Sequence, residues 1–60
     1  DFVHKLGIAQ KECDETLYWI ELLKETGFLT ESEFESLSFD CTELLKMIRS
    51  SIITSKKNNS

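Results

Sequence analysis

Proline is absent from this chain, glycine and cysteine occur twice each, and histidine and tryptophan once. No proline, internal repeat or strand-like alternation competes with a helical pattern. A single histidine and two cysteines without C-x-x-C spacing are too few for a four-ligand zinc site. No glycine-rich phosphate loop is present, and no Ser/His/Asp set can be assembled around His4. No apolar run is long enough to span a bilayer, and the basic-then-apolar opening of a signal peptide is missing. These absences lead to an expectation of a soluble, cytoplasmic chain with no membrane partner, no cofactor and no evident small-molecule substrate. The net charge of −4 argues against a surface that binds polyanions throughout, but leaves room for a local basic patch.

Sixty residues make at most one domain. A chain of this size buries only roughly 60% of the surface its unfolded form exposes. Natural chains below roughly 70–80 residues usually add disulfides, a metal or oligomerisation. Cys13 and Cys41 fall about three residues out of register in an antiparallel pairing, or roughly 4.5 Å along the axis, on top of a helix spacing of about 8–10 Å. A disulfide needs Cα atoms within roughly 7 Å, so both are expected as free, buried, apolar-like residues of a reducing compartment. Oligomerisation, or chain beyond these residues, is what remains.

The stretch from Leu23 to Phe34 stops one helix and starts another. Gly27 reaches the left-handed conformation at a helix C′ position without a Cβ penalty. Thr30 supplies an N-cap oxygen and Glu33, three residues on, can reach back to the Thr30 N–H, which makes a capping box. Phe28 against Leu23 and Leu29 against Phe34 are the hydrophobic contacts that accompany such devices. A connection this short makes the two helices antiparallel neighbours.

The first helix is expected over about Asp1 to Thr26, beginning inside an apolar heptad with no cap before it. Phe2, Leu6, Ala9, Cys13, Thr16, Ile20 and Leu23 form one seam, with a second beside it at Ile8, Glu12, Glu15, Trp19 and Leu22. Together they cover about half the circumference, wider than the stripe of a helix facing one neighbour. The outer face carries Lys11, Asp14, Tyr18, Glu21 and Glu25. The second helix is expected from Glu31 to about Thr54, on a narrower stripe of Phe34, Leu37, Cys41, Leu44, Leu45, Ile48 and Ile52. Phe39, Met47 and Ile53 fall off that stripe and are candidate oligomer contacts. Residues 1–54 thus read as one hairpin, and Ser55 to Ser60 as a disordered tail.

Glu12 and Glu15 lie in or at the edge of the wide arc, where an unpaired carboxylate is costly to bury. They could be metal ligands or a general base, but bundle di-metal sites use Glu-x-x-His pairs, which this chain lacks. Pairing with a cation or hydroxyl of a neighbouring helix, fixing register, is the expected role. His4 on the outer face reads as solvated. Trp19 reads as core rather than a base-stacking platform, and Tyr18 stays open between the two.

Charge is segregated along the hairpin. Asp14, Glu15, Glu21, Glu25, Glu31, Glu33 and Glu35 gather toward the turn, whereas Lys5, Lys11, Lys46, Arg49, Lys56 and Lys57 gather toward the chain ends. The basic end is a candidate nucleic-acid contact. The structural explanation is dipole complementarity in the second helix, with acids at its start and cations at its end.

The run Glu12-Cys13-Asp14-Glu15-Thr16-Leu17-Tyr18-Trp19-Ile20-Glu21-Leu22-Leu23, followed by Gly27-Phe28-Leu29, resembles the second half of a bacterial four-helix bundle family. That family includes the proteins encoded in intervening sequences of large-subunit ribosomal RNA genes and the accessory variability proteins of diversity-generating retroelements. The opening Asp1-Phe2-Val3-His4-Lys5-Leu6-Gly7-Ile8-Ala9 is similar to the start of the family's third helix, and the resemblance covers about Asp1 to Ile52. It implies two further helices before Asp1, and a homopentamer in which bundles associate side by side. Retroelement relatives bind a reverse transcriptase and nucleic acid through basic surfaces, and this chain departs from them in being acidic overall. No enzymatic role follows.

The expectation is therefore an all-α chain, an antiparallel helical hairpin forming half of an up-and-down four-helix bundle. Its function is non-enzymatic assembly into an oligomer, with a nucleic acid (RNA or DNA) or a ribonucleoprotein as the expected partner at the basic end. A small helical adaptor that binds only protein is the alternative, and an enzyme, third, would require Glu12 to bind metal.

Overall fold

The computed structural model describes residues 1–58. It consists of two α-helices, α1 (Phe2–Glu25) and α2 (Glu31–Asn58), with no strand among the described residues. They pack as a hairpin measuring 47 × 16 × 10 Å, two helices wide and one thick.

The turn forms by the expected devices. Gly27 has a φ of +85°. Its N–H donates to the Lys24 carbonyl at 3.1 Å, and the Phe28 N–H donates to the Leu23 carbonyl at 2.8 Å, the paired bonds of a Schellman motif. The Thr30 N–H donates to Glu33 Oε1 at 2.9 Å while the Glu33 N–H donates to Thr30 Oγ1 at 3.1 Å, closing the capping box in both directions. Phe28 nevertheless stays 78% exposed and gives Leu23 little cover. Lys24 spans the turn, with its ammonium 3.2 Å from the Glu31 carboxylate and 4.4 Å from the centre of the Phe34 ring.

Both outer ends differ from expectation. Asp1 does cap α1, its carboxylate accepting from the His4 N–H at 2.7 Å, so the helix does not start uncapped. Its other limit, Thr26, is the C-cap, with the hydroxyl donating to the Leu22 carbonyl at 2.9 Å. α2 continues past Thr54 to Asn58, so Ser55 to Asn58 are helical rather than a disordered tail. Each added residue continues the backbone ladder, and Lys56 and Lys57 suit the negative end of the dipole. The rest of the expected tail, residues 59 and 60, lies outside the described residues.

The seam between the helices also differs in phase. On α1 the covered positions at alternating spacing are Val3, Leu6, Gln10, Cys13, Leu17, Ile20 and Lys24, and on α2 Phe34, Ser38, Cys41, Leu45, Ile48, Ile52 and Ser55; Ala9, Glu43 and Ser51 beside them are also partly covered. Both sets alternate steps of three and four. Counted outward from the Lys24–Phe34 contact, helix register aligns Ile20 with Ser38, Leu17 with Cys41, Cys13 with Leu45, Gln10 with Ile48, Leu6 with Ile52 and Val3 with Ser55. Among the described residues, only Ile20, Leu45 and Ile48 are buried. Phe2, Thr16, Leu23, Leu37 and Leu44, expected in the seam, are exposed beside it. Cys13 and Cys41 are free and half-buried, in adjacent layers rather than opposite each other.

Candidate functional site

Helix geometry sorts the remaining residues into two sides. At about 3.6 residues per turn, the residue just before each seam position turns to one side of its helix and the residue just after to the other. Because the helices are antiparallel, the "before" residues of both share one side of the hairpin, and the "after" residues share the opposite side.

The first side is largely apolar and open. α1 contributes Phe2, Lys5, Ala9, Glu12, Thr16, Trp19 and Leu23; α2 contributes Glu33, Leu37, Asp40, Leu44, Met47, Ser51 and Thr54. Phe2, Trp19 and Met47 are between 57% and 66% exposed, and Leu23, Leu37 and Leu44 between 41% and 47%. The back of α1, away from α2, adds Ile8 and Leu22. Total accessible surface is 4680 Å², against about 4,000 Å² for a compact globule of the same mass. The excess reflects an elongated hairpin, 47 × 16 × 10 Å, that leaves large apolar side chains uncovered.

Trp19 is therefore not core within this hairpin. Its ring meets Tyr18 edge-on, with centroids 5.4 Å apart, while both rings stay exposed. Glu12 and Glu15 are exposed too, Glu12 within the open side and Glu15 on the back of α1, so the burial expected for them is not present in the hairpin. Two helices cover only one stripe of a wide arc, and these carboxylates lie outside that stripe.

The opposite side carries the charge. Toward the turn it holds Asp14, Glu21, Glu25 and Glu35; toward the other end, Lys11, Lys46, Arg49 and Lys56, with Lys57 next to them on the back of α2. Lys46 pairs with Glu43 at 3.3 Å. Lys5 does not join this group, because its position puts it on the apolar side. Phe39 and Ile53, 64% and 57% exposed, lie among the cations, whereas Met47 faces the other way, so the three candidate oligomer contacts belong to two different surfaces. His4 is exposed.

Two groups have shifted ionisation. The Thr30 backbone and hydroxyl bonds hold the Glu33 carboxyl below its ordinary 4.5. Loss of solvation in the seam pushes the Cys41 thiol up, with Cys13 and Asp40 adding to the effect. Shallow recesses lie beside Phe2, Ser50, Ser51, Thr54 and Ser55, and beside Ser32, Glu33, Ser36 and Leu37. Among the described residues, no three His, Cys, Asp or Glu side chains are grouped to hold a metal, and no helix is long and apolar enough to cross a membrane.

With a thin seam, one open apolar side and one charged side, the described residues form an all-α hairpin, which sets the fold class. Within that class, the model of the 23S rRNA-intervening sequence protein family matches residues 1–50, most of the chain, and the chain belongs to that family. No curated protein and no solved structure matches it.

Proposed function

We propose that this chain is a non-enzymatic assembly module, half of a four-helix bundle subunit whose open side is covered by two further helices and whose subunits form a homo-oligomer. The observation that carries the proposal is the open side itself, where Phe2, Trp19, Leu23, Leu37, Leu44 and Met47 are all exposed, whereas the residues between the helices are half-buried or buried. A pentamer follows from the family resemblance, and the back of α1 at Ile8 and Leu22, with Phe39 and Ile53 on the charged side, supplies surface for contacts between subunits.

The basic end contacts RNA. The cations involved are Lys11, Lys46, Arg49, Lys56 and Lys57, which helix register gathers on or beside one side, whereas Lys5 serves the apolar side. The acidic turn directs a polyanion toward the far end.

Molar mass by light scattering, on this chain and on a version extended upstream of Asp1, tests the assembly. The extended chain is expected to give a discrete oligomer, and the shorter one to associate without fixed stoichiometry. A stable, folded monomer of the shorter chain at micromolar concentration would show that the open side needs no cover. RNA binding is expected to weaken with salt and to be lost in Lys46→Glu/Arg49→Glu. Salt-independent binding to a helical protein, unaffected by that pair, would replace it with the adaptor role.

A further inference from the structure

Glu12 lies near the middle of the open side, one helical turn from Ala9 and Thr16, two turns from Lys5 and Trp19, and across the Cys13–Leu45 layer from Leu44 and Met47. Its carboxylate has no hydrogen bond or ion pair among the described residues. The nearest hydroxyl on its own helix is engaged, because Thr16 Oγ1 donates to the Glu12 backbone carbonyl at 2.9 Å. Lys5, seven residues away, is about 10 Å along the axis. Any occupant that covers this side therefore takes a carboxylate out of water and must supply its partner.

A second copy of the hairpin laid over the full length of this side does not supply one. Two copies closing over this side are related by a two-fold axis in the contact plane. With the axis across the helices, α1 lies on α1, and Glu12, near the midpoint of a helix spanning Phe2–Glu25, meets Glu12. With the axis along them, α1 lies on α2 and Glu12 meets Leu44 and Met47. Lys5 then lies opposite Trp19 and Leu23 in the first arrangement, or Ser51 and Thr54 in the second. Both arrangements leave Glu12 unpaired. The side as a whole carries Glu12, Glu33 and Asp40 against Lys5, so its charge calls for a cationic occupant.

We infer that the open side is built to receive amphipathic helices of a different sequence, bearing a lysine or arginine at the level of Glu12, and that this carboxylate selects them over a second copy of the hairpin. The inference rests on the assembly role proposed above.

The test uses two synthetic amphipathic helical peptides with the same leucine stripe, one with arginine and one with leucine at its central position. Their affinities for the chain are measured by calorimetry. The chain is expected to bind the arginine peptide at least about tenfold more tightly, because the ion pair is desolvated on closure. Glu12→Gln should abolish that preference, and Glu12→Leu should reverse it by leaving the arginine buried without a partner. Glu12→Gln keeps the size and helix propensity of the side chain, so it reads out charge even where the leucine variant folds poorly. Equal affinities, or a leucine preference in the unaltered chain, overturn the inference and leave the assembly role standing. Failure of both peptides to bind overturns both.

Discussion

The seam between the two helices and the open side next to it differ in a way that runs against ordinary globular packing. Between the helices, Cys13, Cys41, Ser38, Ser55, Gln10 and Lys24 are interspersed among Phe34 and seven aliphatic side chains, and among the described residues only Ile20, Leu45 and Ile48 are buried. Beside them, uncovered, lie Phe2, Trp19, Leu23, Leu37, Leu44 and Met47. The Ser38 hydroxyl is even enclosed without a hydrogen-bond partner. Burial of apolar area contributes about 25 cal/mol per Å², so covering the open side would add stabilisation that the two helices alone do not provide. The seam sets the geometry of the hairpin, and the open side holds the surface on which a core can be built.

Breaking the seam should have the largest effect. Ile48→Ala removes methyl and methylene groups from a buried site and is expected to lower unfolding free energy by about 2–5 kcal/mol, measured by denaturant titration. The turn comes next. Gly27→Ala has open space for its Cβ but must hold a φ of +85°, and should cost about 1–2 kcal/mol in the same titration.

Thr30→Ala removes one half of the capping box and should cost about 1 kcal/mol. Its partner supplies a pH signature. The folded-state pKa of Glu33 lies below its ordinary 4.5, so the unfolded state takes up the proton first as pH falls. The stabilisation is complete above that ordinary value and is lost as pH falls through the folded one. Glu33→Gln should flatten this part of a stability-against-pH curve, and an unchanged curve would place its cause elsewhere.

The smallest effect on the hairpin sharpens the comparison most. Trp19→Ala is expected to change the stability of the isolated hairpin by no more than about 0.5 kcal/mol, as for other exposed sites. The same substitution should weaken association measured by light scattering. A large loss in the isolated hairpin would mean that Trp19 already packs within it.

The turn was legible because its interactions are local. Gly27, Thr30 and Glu33 act within a few residues of one another, and each hydrogen bond expected from their types and spacing is present. Helix C-terminal extension was less legible, since the polar composition after Thr54 resembles a tail while the backbone ladder continues through it. The open site was legible only in outline. A half-circumference apolar arc on α1 announces more than one neighbour, and family membership follows from the same stretch of sequence.

Sequence by itself determined two helices, their antiparallel connection, the free cysteines and the surplus of apolar surface, because propensity, capping and periodicity act along the chain. Tertiary structure decided which edge of the arc meets α2. Heptad spacing put Phe2, Ala9, Thr16 and Leu23 on that edge, but the packed seam uses Val3, Gln10, Leu17 and Lys24, a rotation that turns Phe2 and Leu23 outward. The same rotation separated Lys5 from the other cations and left Glu12 on the open side. Phase around a wide apolar arc is set by the shape of both partners at once, and a single helix pattern contains only one of them.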